Sequence, residues 1–238
     1  MTLKVSPIDS FDQIIDALEE LLRSEDKAFC VAINPEKIYR AQYDHRVRDL
    51  LNQAEVFLCD GVGTALAVRI LHRRRIRRIT GVALFFKLIE AAADREWPVF
   101  LLGAHPDVNE AASKKLQEDY PQLKIVGRQD GYFSDSDEVV AAINDSRAQL
   151  VFVAMGSPTQ EAWITANREN IFAPFCMGVG GTFDVVSGNV KWAPKIFRKT
   201  GTEWLYRLLK EPTRWRRQLA LPRFLWLLFR YKAGLERN

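Results

Sequence analysis

The amino-acid sequence predicts an α/β fold: a Rossmann-like, mostly parallel sheet with helices on both faces, followed by a basic, aromatic-rich helical C-terminal appendage. Three observations carry this expectation. Short apolar runs alternate about six times with segments of helical periodicity. The run LVFVAM at 150–155 carries no charge and no polar side chain, as suits a parallel strand covered on both faces rather than a half-exposed alternating one. Each run also stops at a turn bearing Gly, Asn, Asp, Gln or Glu, and right-handed crossovers place all such turns along one edge of the sheet.

In chain order, Phe11, Ile14, Ile15, Leu18, Leu21 and Leu22 recur at helical spacing behind Ser10, a suitable N-cap. A strand over Ala28–Ile33 ends at Asn34, Pro35 and Glu36, and one helix is expected from about Lys37 to Ala54. The strand Val56–Cys59 ends at Asp60, Gly61, Val62 and Gly63. A basic cluster, HRRRIRR at 72–78, precedes Ile79, Thr80 and Gly81; it suits a solvated face or an anion contact. A helix over Leu84–Arg95 leads to the strand Val99–Leu102, which ends at Gly103. Next come a helix over Asn109–Tyr120, a short strand over Lys124–Val126, the loop GRQDGYF at 127–133 with Tyr132, and a helix over Val139–Arg147. The run from Leu150 ends at Gly156, Ser157 and Pro158; proline stops the strand, and a helix resumes at Gln160 and Glu161. The last core strand, Phe175–Val179, closes on GVGG at 178–181, followed by Asp184.

A chain of 238 residues with 47% hydrophobic and 27% charged content buries a full core and excludes wholesale disorder. We divide it into a catalytic-type domain over 1–189 and an appendage over 190–238. Cys30, Cys59 and Cys176 lie in or at the ends of apolar segments without CxxC spacing, which favours buried free thiols of a reducing cytoplasm over disulfides or zinc. The three histidines show no ligand spacing either. MTLKVSPIDSF is not a signal peptide. The apolar stretch 219–229 is interrupted by Pro222 and Arg223, and falls short of the roughly 20 residues a spanning helix needs.

The net charge of +4 conceals an asymmetry, because residues 190–238 carry +10 and the rest −6. An anionic partner is therefore expected at the C-terminal end. Nine of the 26 aromatic residues sit there, interleaved with Lys and Arg. That composition suits a helix in the headgroup layer of a membrane, a nucleic-acid surface, or a dimer interface.

Asp60, a lone carboxylate at a strand end beside Gly61 and Gly63, is placed to serve as a general base, a helix N-cap or a metal ligand. GVGG is not a dinucleotide fingerprint, since Phe183 occupies the last glycine position of GxGxxG. Its glycines either bring backbone amides to a phosphate or base, or form a plain turn.

The segments INPEKI (33–38), CDGVG (59–63), RRITG (77–81), FLLGAHPDV (100–108), DGYF (130–133), MGSPTQE (155–161), GVGGTFDVVSG (178–188), WAPK (192–195) and EWLYRLLKEPTRWRR (203–217) together resemble the WecG/TagA/CpsF family of bacterial glycosyltransferases, glycosyltransferase family 26. The resemblance implies a metal-independent, inverting enzyme without a cofactor. Its UDP-sugar donor would pass an N-acetylmannosamine-type hexose to a polyprenyl-diphosphate-linked saccharide, in cell-surface polysaccharide synthesis at the inner face of the cytoplasmic membrane. It also implies roles. Asp60 matches the proposed base and Asn34 the active-site asparagine, Gln160 and Glu161 match a donor-pocket PxQE motif, and Arg207, Arg214 and Arg217 match arginines that reach the diphosphate and the lipid carrier. Ala32 and Ala83 depart from the family pattern, where many members carry Thr and Asp, and this bears on sugar identity.

The expected catalytic residues are Asp60 and Asn34. The expected substrate-binding set adds Gly61, Gly103, Tyr132, Gly156, Pro158, Gln160, Glu161, Gly178, Gly181, Asp184, Arg207, Arg214 and Arg217; no metal ligand is expected. Expected partners are the UDP-sugar, the lipid-linked acceptor and an anionic membrane surface, but not nucleic acid, with a homo-oligomer left open. The competing reading is a nucleic-acid-binding Rossmann-like protein that uses its basic tail.

Overall fold

The computed structural model describes residues 3–212, 215 and 219–234. Its centre is a six-stranded sheet that is parallel throughout, in the order β2-β1-β6-β5-β3-β4. The strands are β1 (Ala28–Ile33), β2 (Val56–Cys59), β3 (Val99–Gly103), β4 (Ile125–Gln129), β5 (Leu150–Ala154) and β6 (Phe175–Gly178). β3, β5 and β6 are buried at every position, as their uncharged sequences require, whereas the edge strand β4 alternates between half-buried and exposed.

Successive strand residues feed two separate cores. Cys30, Ala32, Phe152 and Met177 pack beneath α1 (Phe11–Leu21), α5 (Gly81–Asp94), α6 (Pro106–Asp119) and α9 (Thr182–Val186). Phe29, Val31, Ile33 and Val153 pack beneath α2 (Pro35–Tyr43), α3 (His45–Leu51), α4 (Val62–His72), α7 (Ser136–Asp145) and α8 (Thr159–Asn167). The two-residue repeat of a strand thus fills both layers. The helix leaving β1, α2, lies in one layer and the helix leaving its neighbour β6, α9, lies in the other, so the β1 and β6 ends flank a topological switch, where open α/β sheets bind ligands.

Three helices depart from the expected pattern, the short α9 among them, since only a turn was expected after β6. The expected 37–54 helix is two helices, because the Asp44 carboxylate accepts from Arg46 N and Val47 N and so starts α3 while the Asp44 backbone ends α2. The helix α4 was not expected at all; its AVRILH end runs into the basic cluster, and that composition masked its periodicity.

Residues 190–238 hold α10 (Lys195–Thr200), α11 (Glu203–Lys210) and α12 (Ala220–Lys232) among the described residues. Far from trailing, α12 packs on α2 and α4, with Phe224 and Leu228 inside the second core. Arg214 and Arg217 lie outside the described residues. Cys30, Cys59 and Cys176 are all buried and unpaired. No described helix is long and apolar enough to cross a membrane.

Candidate active site

The carboxyl ends of β1, β2, β5 and β6 open into one cavity of about 550 Å³, with α11 and the start of α12 on its far side. That volume is ordinary for a small-molecule site.

On the β1 side, Asn34 caps α2: its Oδ1 accepts from Lys37 N at 2.9 Å, and Pro35 takes the first helical position, where no N–H is needed. On the β2 side, Asp60 N donates to Ile33 O at 2.9 Å. The Thr64 hydroxyl lies 3.1 Å from Ile33 O and 3.0 Å from Asp60 O, sharing its proton between the two strand ends. The cap position of α4 belongs to Gly61, and no side chain bonds there, so the Asp60 carboxylate does not cap α4. It faces the cavity instead. Protein surrounds Asp60 closely enough that burial pushes its pKa up, and the Glu203 carboxylate pushes the same way. Arg207, Lys37 and the Gly81 amide oppose that rise without cancelling it.

On the β5 and β6 side, the Gln160 carboxamide spans two groups. Its Oε1 accepts from Gly180 N at 2.9 Å, and its Nε2 donates to Glu161 Oε1 at 3.1 Å. It lies directly against Gly178, where a Cβ would collide with the amide. Glu161 is fully buried behind this wall and pairs with Lys37 Nζ at 2.7 Å; Lys37 is itself only 7% exposed.

The tail closes the remaining side. Arg78, the last arginine of the basic cluster, donates Nη1 to Glu203 Oε1 at 2.9 Å and Nη2 to Arg198 O. Gly201, which ends α10, presses on Val62 of α4. Phe86 of α5 stacks on Trp192 at 4.8 Å, and the Arg198 guanidinium lies 4.0 Å from the Trp192 ring centroid.

Of the residues expected from sequence, Asn34, Asp60, Gly61, Gly156, Gln160, Gly178, Gly181, Asp184 and Arg207 line this cavity. Four others lie off its wall. Gly103 adopts φ +105°, and a Cβ there would meet the Ala154 backbone at 2.7 Å, so the β3–β5 packing accounts for its lack of a side chain. Tyr132 is 76% exposed and touches the cavity only through His105, its edge-on neighbour at 5.7 Å. Pro158 precedes α8, and Glu161 sits one layer behind Gln160.

Sequence reasoning missed Lys37, Arg78 and Glu203 as lining residues. Signals were available. Lys37 follows the cap asparagine by three, Arg78 stands just before the Thr80–Gly81 helix start, and Glu203 is one of three acids in a tail of thirteen bases. Among the described residues, no group of three His, Cys, Asp or Glu could hold a metal ion.

A parallel α/β sheet with a polar cavity at its strand ends, walled by a basic C-terminal segment, defines the class of Rossmann-like proteins with a small-molecule site. Within it, the whole chain, residues 1–238, matches the Glycosyl transferase WecG/TagA/CpsF family. It is also 34% identical over 240 residues to the N-acetylglucosaminyldiphosphoundecaprenol N-acetyl-beta-D-mannosaminyltransferase of Bacillus spizizenii, covering 98% of this chain and 93% of that protein. The chain belongs to the WecG/TagA/CpsF family and is a glycosyltransferase.

Proposed function

We propose that the protein transfers an N-acetylmannosamine-type hexose from a UDP-sugar to a hydroxyl of a polyprenyl-diphosphate-linked saccharide, with inversion, for cell-surface polysaccharide synthesis. The observation that carries this reading is the placement of Asp60, which does not cap α4 and whose pKa is raised, in one cavity with Arg207 and the 178–181 glycine turn. The relative's name supplies the acceptor class and the sugar.

In this mechanism Asp60 takes the proton of the acceptor hydroxyl. The oxygen then attacks the anomeric carbon as its bond to the diphosphate breaks, and UDP leaves with the electron pair. A base whose pKa stands above the usual carboxylate range accepts that proton more readily. Asn34 has its Oδ1 held by Lys37 N, which leaves its NH₂ to orient a sugar hydroxyl. Charge growing on the leaving diphosphate is met by Arg207 and the backbone of the glycine turn, with Arg214 and Arg217 assigned to the same task by resemblance; this arrangement needs neither metal nor cofactor. Ala32 lines the cavity with a methyl group where many relatives place a hydroxyl, which bears on the sugar accepted.

The acceptor's lipid draws the protein to the membrane surface. Trp226 and Phe229 of α12 are stacked and 61% and 59% exposed, and Leu209 of α11 is also exposed, amid Lys and Arg. An amphipathic surface of this kind binds anionic headgroups.

A thermal-shift panel of UDP-sugars, followed by transfer to an N-acetylglucosaminyl diphosphoprenol in vesicles, tests the reading. A selective shift and transfer are expected. No shift with any UDP-sugar, together with steeply salt-dependent binding to arbitrary DNA, would replace it with the nucleic-acid alternative.

A further inference from the structure

Four residues from both sides of the cavity form one chain of hydrogen bonds to the glycine turn. Asn34 Oδ1 accepts from Lys37 N, Lys37 Nζ donates to Glu161 Oε1, Gln160 Nε2 donates to the same oxygen, and Gln160 Oε1 accepts from Gly180 N. The link between the two walls is the Lys37–Glu161 ion pair, with neither charge appreciably exposed and with Glu161 Oε2 lacking a hydrogen-bond partner among the described residues.

Such a pair is a poor device for stability. Desolvating two charges offsets most of their attraction, and replacing a buried pair by apolar residues of similar volume is often neutral or stabilising. What this pair does provide is direction. With a carboxylate on one side and an N–H on the other, only one orientation of the Gln160 amide satisfies both neighbours. Turning it over would set Nε2 against Gly180 N–H and Oε1 against the Glu161 carboxylate, two repulsive contacts in a site with little water. Gly178 lets the amide lie flat against the strand end, so Gln160 is wedged as well as bonded.

We propose that Lys37 and Glu161 are positioning residues that lock the Gln160 carboxamide, and through it the 178–181 turn, in the shape that receives the nucleotide diphosphate of the donor, while tying that wall to Asn34. Glu161 then acts from behind the wall rather than by touching the donor. The ligand half of this proposal rests on the donor-cavity reading above; the lock itself does not.

The test uses the full chain. Amide exchange at Gly180, followed by NMR, reads the lock without ligand: Glu161→Gln is expected to speed it, and unchanged protection overturns the proposal. Calorimetric titration with UDP reads the ligand half. Glu161→Gln and the doubly neutral Lys37→Met/Glu161→Leu are both expected to weaken UDP by about tenfold or more, as losing one oriented hydrogen bond to a charged group would. The double variant should nonetheless melt at or above the wild-type temperature. Lys37→Arg should recover most of the affinity that Lys37→Met loses. A folded double variant with wild-type UDP affinity would show the pair to be structural only and overturn the proposal. If the double variant does not fold, Glu161→Gln decides alone by the same two readouts. Wild-type protein that binds no UDP would sink the functional reading instead, leaving the Gly180 exchange result to stand for the lock.

Discussion

Arg78 Nη1 and Glu203 Oε1 are 2.9 Å apart, and this pair brings a carboxylate of the basic tail up to the cavity that holds Asp60. Burial is the main cause of the raised Asp60 pKa, and Glu203 adds to it by charge repulsion. In Glu203→Gln that repulsion is gone and the amide oxygen can still accept from Arg78. The Asp60 pKa should therefore fall, and the base should stay ionised to lower pH. The acid limb of the kcat/KM profile is expected to move to lower pH; an unmoved limb would separate Glu203 from the chemistry.

Asp60→Asn should lower kcat by roughly 10²- to 10⁴-fold, the usual contribution of a positioned base. Its stability effect has the opposite sign. A carboxylate whose folded pKa lies above its ordinary 3.8 binds its proton more tightly when folded. Ionising it therefore costs stability as pH rises from the unfolded to the folded pKa, and the cost persists above that window. Thermal melts should show Asp60→Asn to be more stable than wild type at pH 7, with the gain vanishing below pH 3.8.

Two glycines should respond differently to alanine. Gly103→Ala forces a side chain into the Ala154 backbone at positive φ, and denaturant titration should show a loss of about 1–3 kcal/mol or more. Gly178→Ala meets a movable amide instead, so its stability loss should be smaller and its effect should fall on donor KM through displaced Gln160.

Burial pushes the thiols of Cys30 and Cys176 up to about 12 and that of Cys59 up to about 11. Since the thiolate is the nucleophile, alkylation by iodoacetamide at pH 8 should be undetectable by mass until denaturant is added.

On α12, exposed and buried faces predict opposite outcomes. Trp226→Ser with Phe229→Ser should weaken sedimentation with anionic vesicles while changing folding stability by no more than about 0.5 kcal/mol each. Phe224→Ala should cost about 3–5 kcal/mol, because its ring is fully buried. Retained vesicle binding by the double serine variant would detach this face from the membrane reading.

The sheet was legible because five of its six strands are uncharged runs that end abruptly; the edge strand β4, which carries Arg128, was expected to stop at Val126 but runs on to Gln129 through the start of the expected loop. Ala28–Ile33 and Val56–Cys59 match expectation residue for residue. Asp60 and Asn34 were legible for the same reason, standing first after a buried run. What stayed hidden depends on distance along the chain. Nothing local to Lys37 announces a partner at Glu161, and nothing near Arg78 announces Glu203. The helix break at Asp44 was concealed because one carboxylate accepting two amides can restart a helix inside an otherwise continuous pattern. Glu161 was placed at the donor by its motif, whereas the helical spacing of α8 turns it inward, one residue past the lining Gln160.

The seating of Phe224 and Leu228 in the core under α2 bears on how the molecule would sit on a bilayer. The same helix that offers Trp226 and Phe229 outward is joined rigidly to the element whose first turn holds Asn34 and Lys37. On the membrane reading proposed above, docking through that outer face would work as a keel: it would set the tilt and height of the crevice above the lipid, so that a prenyl diphosphate anchored in the leaflet would meet Asp60 at a reach fixed by helix packing rather than by the length of a flexible tether.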